Sequence, residues 1–318
     1  MNYRRLGAAG IKVSEVSLGG WLTFGQQVDR LAVSAIVGAA VEAGVNFFDL
    51  ADEYGHGEAE RAFGAALADH RRQDLVISSK AYWAMSDGPN DRGLSRKHLF
   101  ESVEGSLRRI GTDYLDLYFC HRHDDETTVE EVVRAMDDLT RQGKILYWGT
   151  SVWTGAQIAE AYHTSRFLGA HPPRVEQPRY NLLDRHIEPE ILPTAAACGI
   201  GLVIWSPLAQ GVLTGKYDEG IPEGSRAAEI GWVRKGIRET DLAVARSLAP
   251  LAEELGLTRA QLALAWILRR PEISSVITGA TRPEQVEENV AASDIKLAGE
   301  ALARIEALLG NRPDPPPS

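Results

Sequence analysis

The stretch GVNFFDLADEYGHGEAERAFG, residues 44–64, predicts a buried strand, a tight loop and a helix in immediate succession. The apolar run 45–50 ends in acidic and small residues, among them Asp49 and, in the loop beyond, Tyr54. A helical pattern begins at Glu58. Strands that carry polar side chains to their carboxyl ends are typical of enzymes built on parallel sheets. Asp49 and Tyr54 are therefore candidate site residues.

The same strand and helix unit repeats along the chain. Short apolar runs predict strands at residues 16–18, 46–50, 75–79, 115–120, 145–149, 175–177, 202–205 and 275–278. Helical patterns lie at residues 29–43, 58–69, 95–110, 128–142, 154–168, 189–198, 240–255, 258–269, 283–291 and 299–309. Strands that read as continuous apolar runs belong to sheets covered on both faces. Eight such units predict an α/β fold, the closed (β/α)8 TIM barrel.

Features outside the repeating unit complete the predicted architecture. Residues 3–16 predict an N-terminal β-hairpin, and the last helices are extra C-terminal ones. Residues 1–310 are expected to form one domain, and the Pro-rich tail 311–318 to be disordered or extended. The alternative fold is a doubly wound sheet. It would carry a Gly-rich fingerprint after the first strand, and neither G-x-G-x-x-G nor a Walker A sequence is present.

Composition narrows the classes of function. Of the 318 residues, 44% are hydrophobic and 25% charged, as in ordinary globular proteins. The net charge of -10 without clustered Lys and Arg argues against nucleic acid as a partner. Two cysteines, Cys120 and Cys198, are too few for a disulfide framework and fit a reducing compartment. No signal peptide and no long apolar span are seen, so no membrane association is expected and the predicted location is cytoplasmic.

Polar residues follow most of the predicted strands. In a barrel, the carboxyl ends of the strands form one rim, whatever their separation in sequence. The residues at those ends are Trp21, Asp49, Lys80, His121, Ser151, Gln177, Ser206 and Gly279. Each such residue alone is more often structural than functional. A carboxylate, an ammonium and an imidazole on different strands, with the phenol of Tyr54 on the adjoining loop, favour a shared site.

Carbonyl reduction uses all four of these groups. It needs a hydride donor and a proton donor for the developing alkoxide. The pKa of a tyrosine is ordinarily about 10, and the ammonium of Lys80 is expected to lower the pKa of Tyr54. Asp49 would keep Lys80 charged and oriented. His121 would hydrogen-bond the carbonyl oxygen and place it against Tyr54.

The motifs that carry these residues resemble the aldo-keto reductases over roughly residues 1–310. The resemblance begins with the spacing Asp49-x4-Tyr54, with Lys80 after an apolar strand and with His121 after LDLYFC. It continues through GKILYWGTS (143–151), EQPRYN (176–181), WSPL (205–208), GVLTGKY (211–217) and GATRPEQVEEN (279–289). The chain is most similar to the potassium-channel β-subunit-like branch and its bacterial relatives.

The resemblance implies a (β/α)8 barrel that binds NADPH in extended form, with NADH less favoured. It implies a catalytic tetrad of Asp49, Tyr54, Lys80 and His121. Tyr54 would be the general acid and base for hydride transfer between nicotinamide C4 and a carbonyl or alcohol carbon. The implied protein is an NADP-dependent alcohol oxidoreductase acting on a small molecule, and its branch implies a homo-oligomer. No metal is expected.

The resemblance also assigns a cofactor site. The nicotinamide end would contain Gly20, Trp21, Gln27, Asp49, Ser151, Gln177 and Trp205. The pyrophosphate would follow Ser206, Pro207, Leu208, Ala209, Gln210 and Lys216. The adenosine end would contain Arg226, Gly279, Thr281, Gln285, Glu288 and Asn289. The substrate pocket would be formed by Trp21, Tyr54, Trp83 and His121.

Elementary physics supports part of the adenosine end. Gly279 precedes a predicted helix, and Thr281 lies near the helix N-terminus, where anions are stabilised. Arg226 can hold a phosphate through two parallel hydrogen bonds, which favours NADP over NAD.

The sequence departs from the family pattern at several positions. Val152 follows Ser151 where a polar Asn or Arg is usual, so one cofactor contact is expected to be missing. Arg179 replaces a common acidic residue, and Gly224 stands where the channel subunits have an aromatic residue. His121 is the catalytic type, whereas those subunits carry asparagine, and this favours a working enzyme.

Three rival functions remain open. His121-x-His123 with Asp124 is typical of a barrel metal site, although further ligands on later strands are not evident. Lys80 is compatible with a Schiff-base aldolase, which would leave Tyr54 without its role. The third rival is an NADPH-binding redox-sensing or channel-associated subunit with little turnover.

Overall fold

Eight parallel strands close into a barrel. The computed structural model of the chain describes residues 1–25 and 27–313. The strands are β1 (Tyr3–Arg5), β2 (Lys12–Ser14), β3 (Val16–Gly19), β4 (Phe47–Asp49), β5 (Val76–Ala81), β6 (Leu115–Cys120), β7 (Ile145–Ser151), β8 (Val175–Gln177), β9 (Gly201–Ile204) and β10 (Ile273–Thr278). Strands β3 to β10 pair in sequence order, and β10 closes on β3. The predicted (β/α)8 barrel is confirmed.

Helices surround the barrel. They are α1 (Arg30–Glu42), α2 (Glu58–Ala66), α3 (Arg96–Ile110), α4 (Val129–Arg141), α5 (Gly155–Leu168), α6 (Ile191–Cys198), α7 (Arg226–Glu229), α8 (Gly231–Gly236), α9 (Glu239–Ser247), α10 (Ala249–Glu254), α11 (Arg259–Leu268), α12 (Pro283–Val290) and α13 (Gly299–Leu309). Over residues 1–25 and 27–313, none of the helices has the length and apolar character needed to cross a membrane.

Short polar side chains begin many of these helices. Asp29, Ser95, Thr128, Thr154 and Thr258 precede α1, α3, α4, α5 and α11, and each accepts a hydrogen bond from a backbone N–H of the first turn. In α5 and in α11, a glutamine side chain also accepts a hydrogen bond from the backbone N–H of the capping threonine, which completes a capping box. These local signals explain why the five predicted starts agree with the structure within one residue.

The predicted hairpin is confirmed and covers the amino-terminal end of the barrel. Strands β1 and β2 pair in antiparallel fashion. Leu6 and Val13 of the hairpin region are buried in one cluster with Phe47 inside the barrel. A Cβ atom at Gly7 would lie 2.4 Å from the backbone nitrogen of Gly201, so only a glycine permits this approach. The polar rim predicted from the strand ends therefore lies at the opposite end.

The region after β9 differs from the prediction. The single helix expected at 240–255 is two helices, α9 and α10, which meet at Leu248. Pro250 in the first turn of α10 has no N–H and cannot continue the hydrogen bonds of α9. The Gly-rich segment 210–236, which shows no periodicity, contains a 3-10 turn at Ala209–Thr214 and the short helices α7 and α8.

The C-terminal tail is described only in part. Asn311 donates a hydrogen bond of 2.8 Å from Nδ2 to the carbonyl oxygen of Leu182. The prediction of disorder at residues 314–318 falls outside the described residues.

Two helical glycines give a matched test of the helix packing. A Cβ atom at Gly64 in α2 would lie 2.4 Å from the carbonyl oxygen of Ile110, whereas a Cβ atom at Gly38 in α1 meets nothing within 4 Å. Gly64→Ala should lower the free energy of unfolding by about 1–3 kcal/mol through overpacking. Gly38→Ala should raise it by about 0.5–1 kcal/mol through helix propensity. Urea unfolding measures both, and shifts in the same direction would contradict the packing.

Candidate active site

A fully buried ammonium forms the centre of the polar rim. The Nζ atom of Lys80, at the end of β5, lies 2.7 Å from Oδ2 of Asp49 and 2.7 Å from the carbonyl oxygen of Leu50. It lies 3.1 Å from the hydroxyl of Tyr54 and donates to it. The Lys80 side chain is 0% exposed. The structure thus brings together three members of the predicted tetrad.

Asp49 is held as an acceptor on both oxygens. Its Oδ2 faces Lys80, and its Oδ1 accepts hydrogen bonds from Oγ of Ser78 at 2.7 Å and from Nε2 of Gln177 at 2.9 Å. Burial lowers the pKa of Lys80, and the adjacent Asp49 carboxylate opposes that shift. Lys80 and Asp49 therefore balance each other's charge inside the barrel.

The pKa of Tyr54 is higher than the sequence predicts. Burial, then the negative charges of Asp49 and Glu53, raise its pKa well above the ordinary value. This is opposite to the lowering of the pKa expected from Lys80 alone, because burial and the nearby carboxylates dominate. Tyr54 therefore keeps its proton through the neutral pH range. Since its oxygen accepts from Lys80, its own O–H is available to donate into the cleft.

His121 lies beside Tyr54 as a neutral imidazole. The centroids of the two rings are 6.0 Å apart, and the ring of Trp83 is 6.3 Å away from that of His121. Burial, then the charges of Lys80 and Arg122, lower the pKa of His121 well below its ordinary value. The imidazole of His121 therefore lies near Tyr54 and is uncharged at neutral pH.

A cleft of about 710 Å³ extends from these residues. The predicted site residues that line it are Trp21, Gln27, Asp49, Tyr54, Trp83, His121, Ser151, Gln177, Trp205, Ser206, Pro207, Leu208, Gln210, Lys216, Arg226, Gly279, Thr281, Gln285, Glu288 and Asn289. Three predicted residues do not line it. Lys80 lies behind Asp49 and Tyr54, Gly20 packs against Phe24, and Ala209 is buried.

Two cations without a carboxylate partner among the described residues lie at the far end of the cleft. Arg226 donates from Nη1 to Oε1 of Gln210 at 2.9 Å. Burial lowers the pKa of Arg226. Desolvation and then the Arg226 charge lower the pKa of Lys216, although that side chain as a whole is exposed. Within residues 1–25 and 27–313, neither cation has a carboxylate oxygen within 4.0 Å. An anion of more than one charge would relieve this repulsion.

Thr281 and Gly279 adjoin this cationic end. A Cβ atom at Gly279 would lie 3.3 Å from Nη2 of Arg226. The backbone N–H and the hydroxyl of Thr281 both donate to Oε1 of Gln285, at 2.8 and 3.2 Å. These donors stand where the adenosine end of a dinucleotide was predicted.

Of the charged cleft residues absent from the sequence prediction, two lie beside the tetrad. Glu53 and Arg122 line the cleft next to Tyr54 and His121. The guanidinium of Arg122 lies 5.6 Å from the ring centre of Trp83. Each immediately adjoins a tetrad residue in the sequence, and that adjacency is the sequence feature that indicates a place in the cleft.

The unusual residues have specific surroundings. Arg179 pairs with Asp184 at 3.2 Å and lies over the ring of Trp205 at 5.8 Å. His123, the second histidine of the suggested metal motif, meets Asp125 at 2.9 Å and packs against Trp153.

The barrel and its rim define the class of protein. A model described as the Aldo/keto reductase family matches residues 15–309. The chain belongs to the aldo/keto reductase family, whose members are oxidoreductases that generally bind nicotinamide cofactors.

Similar proteins specify the branch. One of Oryza sativa subsp. japonica is 46% identical over 322 residues, which cover 98% of each chain. One of Arabidopsis thaliana is 46% identical over 327 residues, which cover 100% of this chain and 99% of the other. Both carry the name "Probable voltage-gated potassium channel subunit beta". The predicted resemblance to this branch is confirmed.

Removal of the buried ammonium tests its pairing. Lys80→Met should lower the free energy of unfolding by about 3–5 kcal/mol, because it leaves the buried Asp49 carboxylate without its cation. Adding Asp49→Asn should recover part of that loss, since no unpaired charge remains. Urea unfolding of the two single variants and the double variant gives the coupling. A double variant no more stable than Lys80→Met would contradict the pairing.

Proposed function

We propose that the protein is an NADPH-dependent aldo-keto reductase that interconverts a small carbonyl compound and its alcohol. The contact of Lys80 with both Asp49 and Tyr54, at the head of the cleft, is the observation that carries this proposal. NADPH, when bound, supplies the hydride from nicotinamide C4 to the carbonyl carbon. The residues of the chain supply the proton, the orientation and the electrostatic environment.

Tyr54 acts as the proton donor. Its raised pKa keeps it protonated until negative charge develops on the carbonyl oxygen, which then becomes the stronger base. The O–H proton moves to that oxygen, and the ammonium of Lys80, 3.1 Å away, stabilises the tyrosinate that remains. Asp49 keeps the ammonium in place. In alcohol oxidation the same tyrosinate accepts the proton.

His121 orients the substrate without competing for that proton. Because its pKa is far below neutral, the imidazole carries no charge and can donate one hydrogen bond to the carbonyl oxygen. Its position beside Tyr54 directs the oxygen towards the phenol.

The donors of the cleft fit a phosphorylated dinucleotide. Arg226 and Lys216, two neighbouring cations without a carboxylate partner, suit phosphate groups. The N–H and hydroxyl of Thr281 donate to Gln285 and would join them only by exchanging that partner for a phosphate oxygen. Gln177 donates to Asp49 through Nε2, and its Oε1 makes no hydrogen bond in the described part of the chain. That oxygen can accept the amide of a nicotinamide carboxamide, while Ser151 lies on the adjoining strand.

The names of the relatives favour a second candidate function. Those names refer to a potassium channel subunit, so this function is that of a channel-associated subunit. We propose that such a subunit would bind NADPH, sense redox state and have little turnover. Tight NADPH binding without oxidation of NADPH by any member of a broad carbonyl panel would support it. The catalytic type of residue at His121 supports the enzyme instead.

A cytoplasmic location belongs to the same proposal. Cys120 and Cys198 are both buried and free, which suits a reducing compartment. A homo-oligomer stays a prediction.

Tyr54→Phe should separate binding from chemistry. The variant removes the hydroxyl proton but keeps the ring, so turnover of aldehydes should fall by about 10²-fold or more. The dissociation constant of NADPH, measured by fluorescence, should stay within about threefold of the wild-type value. Wild-type rates in this variant would refute the role of Tyr54.

Arg226→Ala should distinguish the two nicotinamide cofactors. Loss of a charged hydrogen-bond donor should raise the dissociation constant of NADPH about 10- to 100-fold, with a change below about threefold for NADH. Arg238→Ala is the control, because Arg238 is exposed and pairs with Asp241 outside the cleft. Equal weakening of NADPH and NADH binding would show that Arg226 does not meet the 2′-phosphate.

A further inference from the structure

The turn that follows β7 has a strained backbone. Val152 has φ of +59°, in the left-handed region that β-branched residues rarely adopt. Its side chain is 39% exposed, so burial of the valine does little to offset the strain. Trp153, the next residue, is buried. Other contacts must therefore hold this turn, which begins immediately after Ser151.

A buried carboxylate on the neighbouring strand supplies those contacts. Oε1 of Glu176 accepts hydrogen bonds from the backbone N–H groups of Val152 at 2.8 Å and Trp153 at 3.4 Å. Oε2 of Glu176 accepts from the hydroxyl of Thr150 at 2.5 Å. Glu176 is 0% exposed. One carboxylate thus binds three groups along the end of β7 and its turn.

The held turn is continuous with the predicted nicotinamide end. Oγ of Ser151 donates to the carbonyl oxygen of Gln177 at 3.0 Å, and the N–H of Val152 also lies 3.3 Å from that oxygen. Gln177 in turn donates to Asp49 of the tetrad. Successive side chains of a strand point to opposite faces, so Gln177 faces the cleft while Glu176 holds the turn behind it.

We propose that Glu176 is a positioning residue for the cofactor: its carboxylate holds the left-handed turn at Val152 so that Ser151 and Gln177 present a fixed surface to the nicotinamide carboxamide. This inference rests on the proposed function. Glu176 does not touch the cofactor itself and acts through the backbone of residues 151–153.

The electrostatics of Glu176 support a role beyond packing. Burial raises its pKa to about 7. Among the described residues, no basic nitrogen lies within 4.0 Å of its oxygens. In the part of the chain that the structure describes, the titratable and charged groups that interact electrostatically with Glu176 are the Cys120 thiol and the Arg122 guanidinium. A buried carboxylate without an ion pair is costly, and its three donors offset part of that cost.

Three variants test this role through NADPH binding, measured by fluorescence as a dissociation constant. Glu176→Met keeps the volume but removes the acceptor, and should raise the constant about tenfold. At saturating NADPH, kcat should stay within about threefold. Adding Val152→Gly, which adopts φ above zero without strain, should return the constant to within about threefold of wild type. Asp116→Asn is the control, because Asp116 is a buried carboxylate that accepts a backbone N–H from Ile77 and pairs with Arg72, away from the cleft.

Should Glu176→Met fail to fold, Glu176→Gln carries the same test. It keeps one acceptor, so the expected rise is about threefold, again reversed by Val152→Gly. Unchanged NADPH binding in the Glu176 variants would overturn the inference. The inference would also be overturned if Val152→Gly did not lower the raised dissociation constant, or if Asp116→Asn weakened NADPH binding as much as the Glu176 variants do. A wild-type protein that binds no NADPH would instead overturn the proposed function, and the inference with it.

Discussion

The site depends on a lysine ammonium that has been removed from water. Lys80 is 0% exposed, and such a charge is stable only if acceptors surround it. Strand β4 and the loop after it provide them as Asp49, the Leu50 carbonyl and Tyr54. The register of the parallel pair, in which Asp49 lies opposite Ser78, places Lys80 two residues further along β5. The pairing of β4 with β5 in the barrel therefore also fixes where the phenol of Tyr54 meets the ammonium of Lys80.

The two ends of the cleft differ in how their cations are compensated. At the head, Lys80 has a carboxylate at 2.7 Å, so its charge is balanced before any ligand arrives. At the far end, Arg226 and Lys216 repel one another, and no carboxylate of the described residues pairs with either. A neutral reacting group suits the first environment, and a phosphate suits the second. For the dinucleotide of the proposed function, this asymmetry favours one direction in the cleft.

Features set by local sequence could be predicted, whereas features set by desolvation could not. The strand ends at Lys80 and His121 follow from apolar runs that stop at polar residues, and the helix starts follow from capping side chains. The direction of the Tyr54 pKa shift depends on burial and on the charge of Glu53, which become known only in three dimensions. The role of Glu176 does not follow from the sequence, because its side chain points away from the cleft and no sequence pattern shows that Val152 has a positive φ.

Val152 shows why a departure from a family pattern must be judged with its backbone. Read as a side chain, it predicts the loss of one polar cofactor contact. In the structure, its backbone N–H is bound by Glu176 and also approaches the Gln177 carbonyl, so the turn keeps its conformation despite a residue that disfavours it. The position of Ser151 therefore depends on a carboxylate 25 residues away in sequence rather than on the residue that follows it. Contacts of this kind let a site tolerate a valine where a more permissive residue would fit without strain.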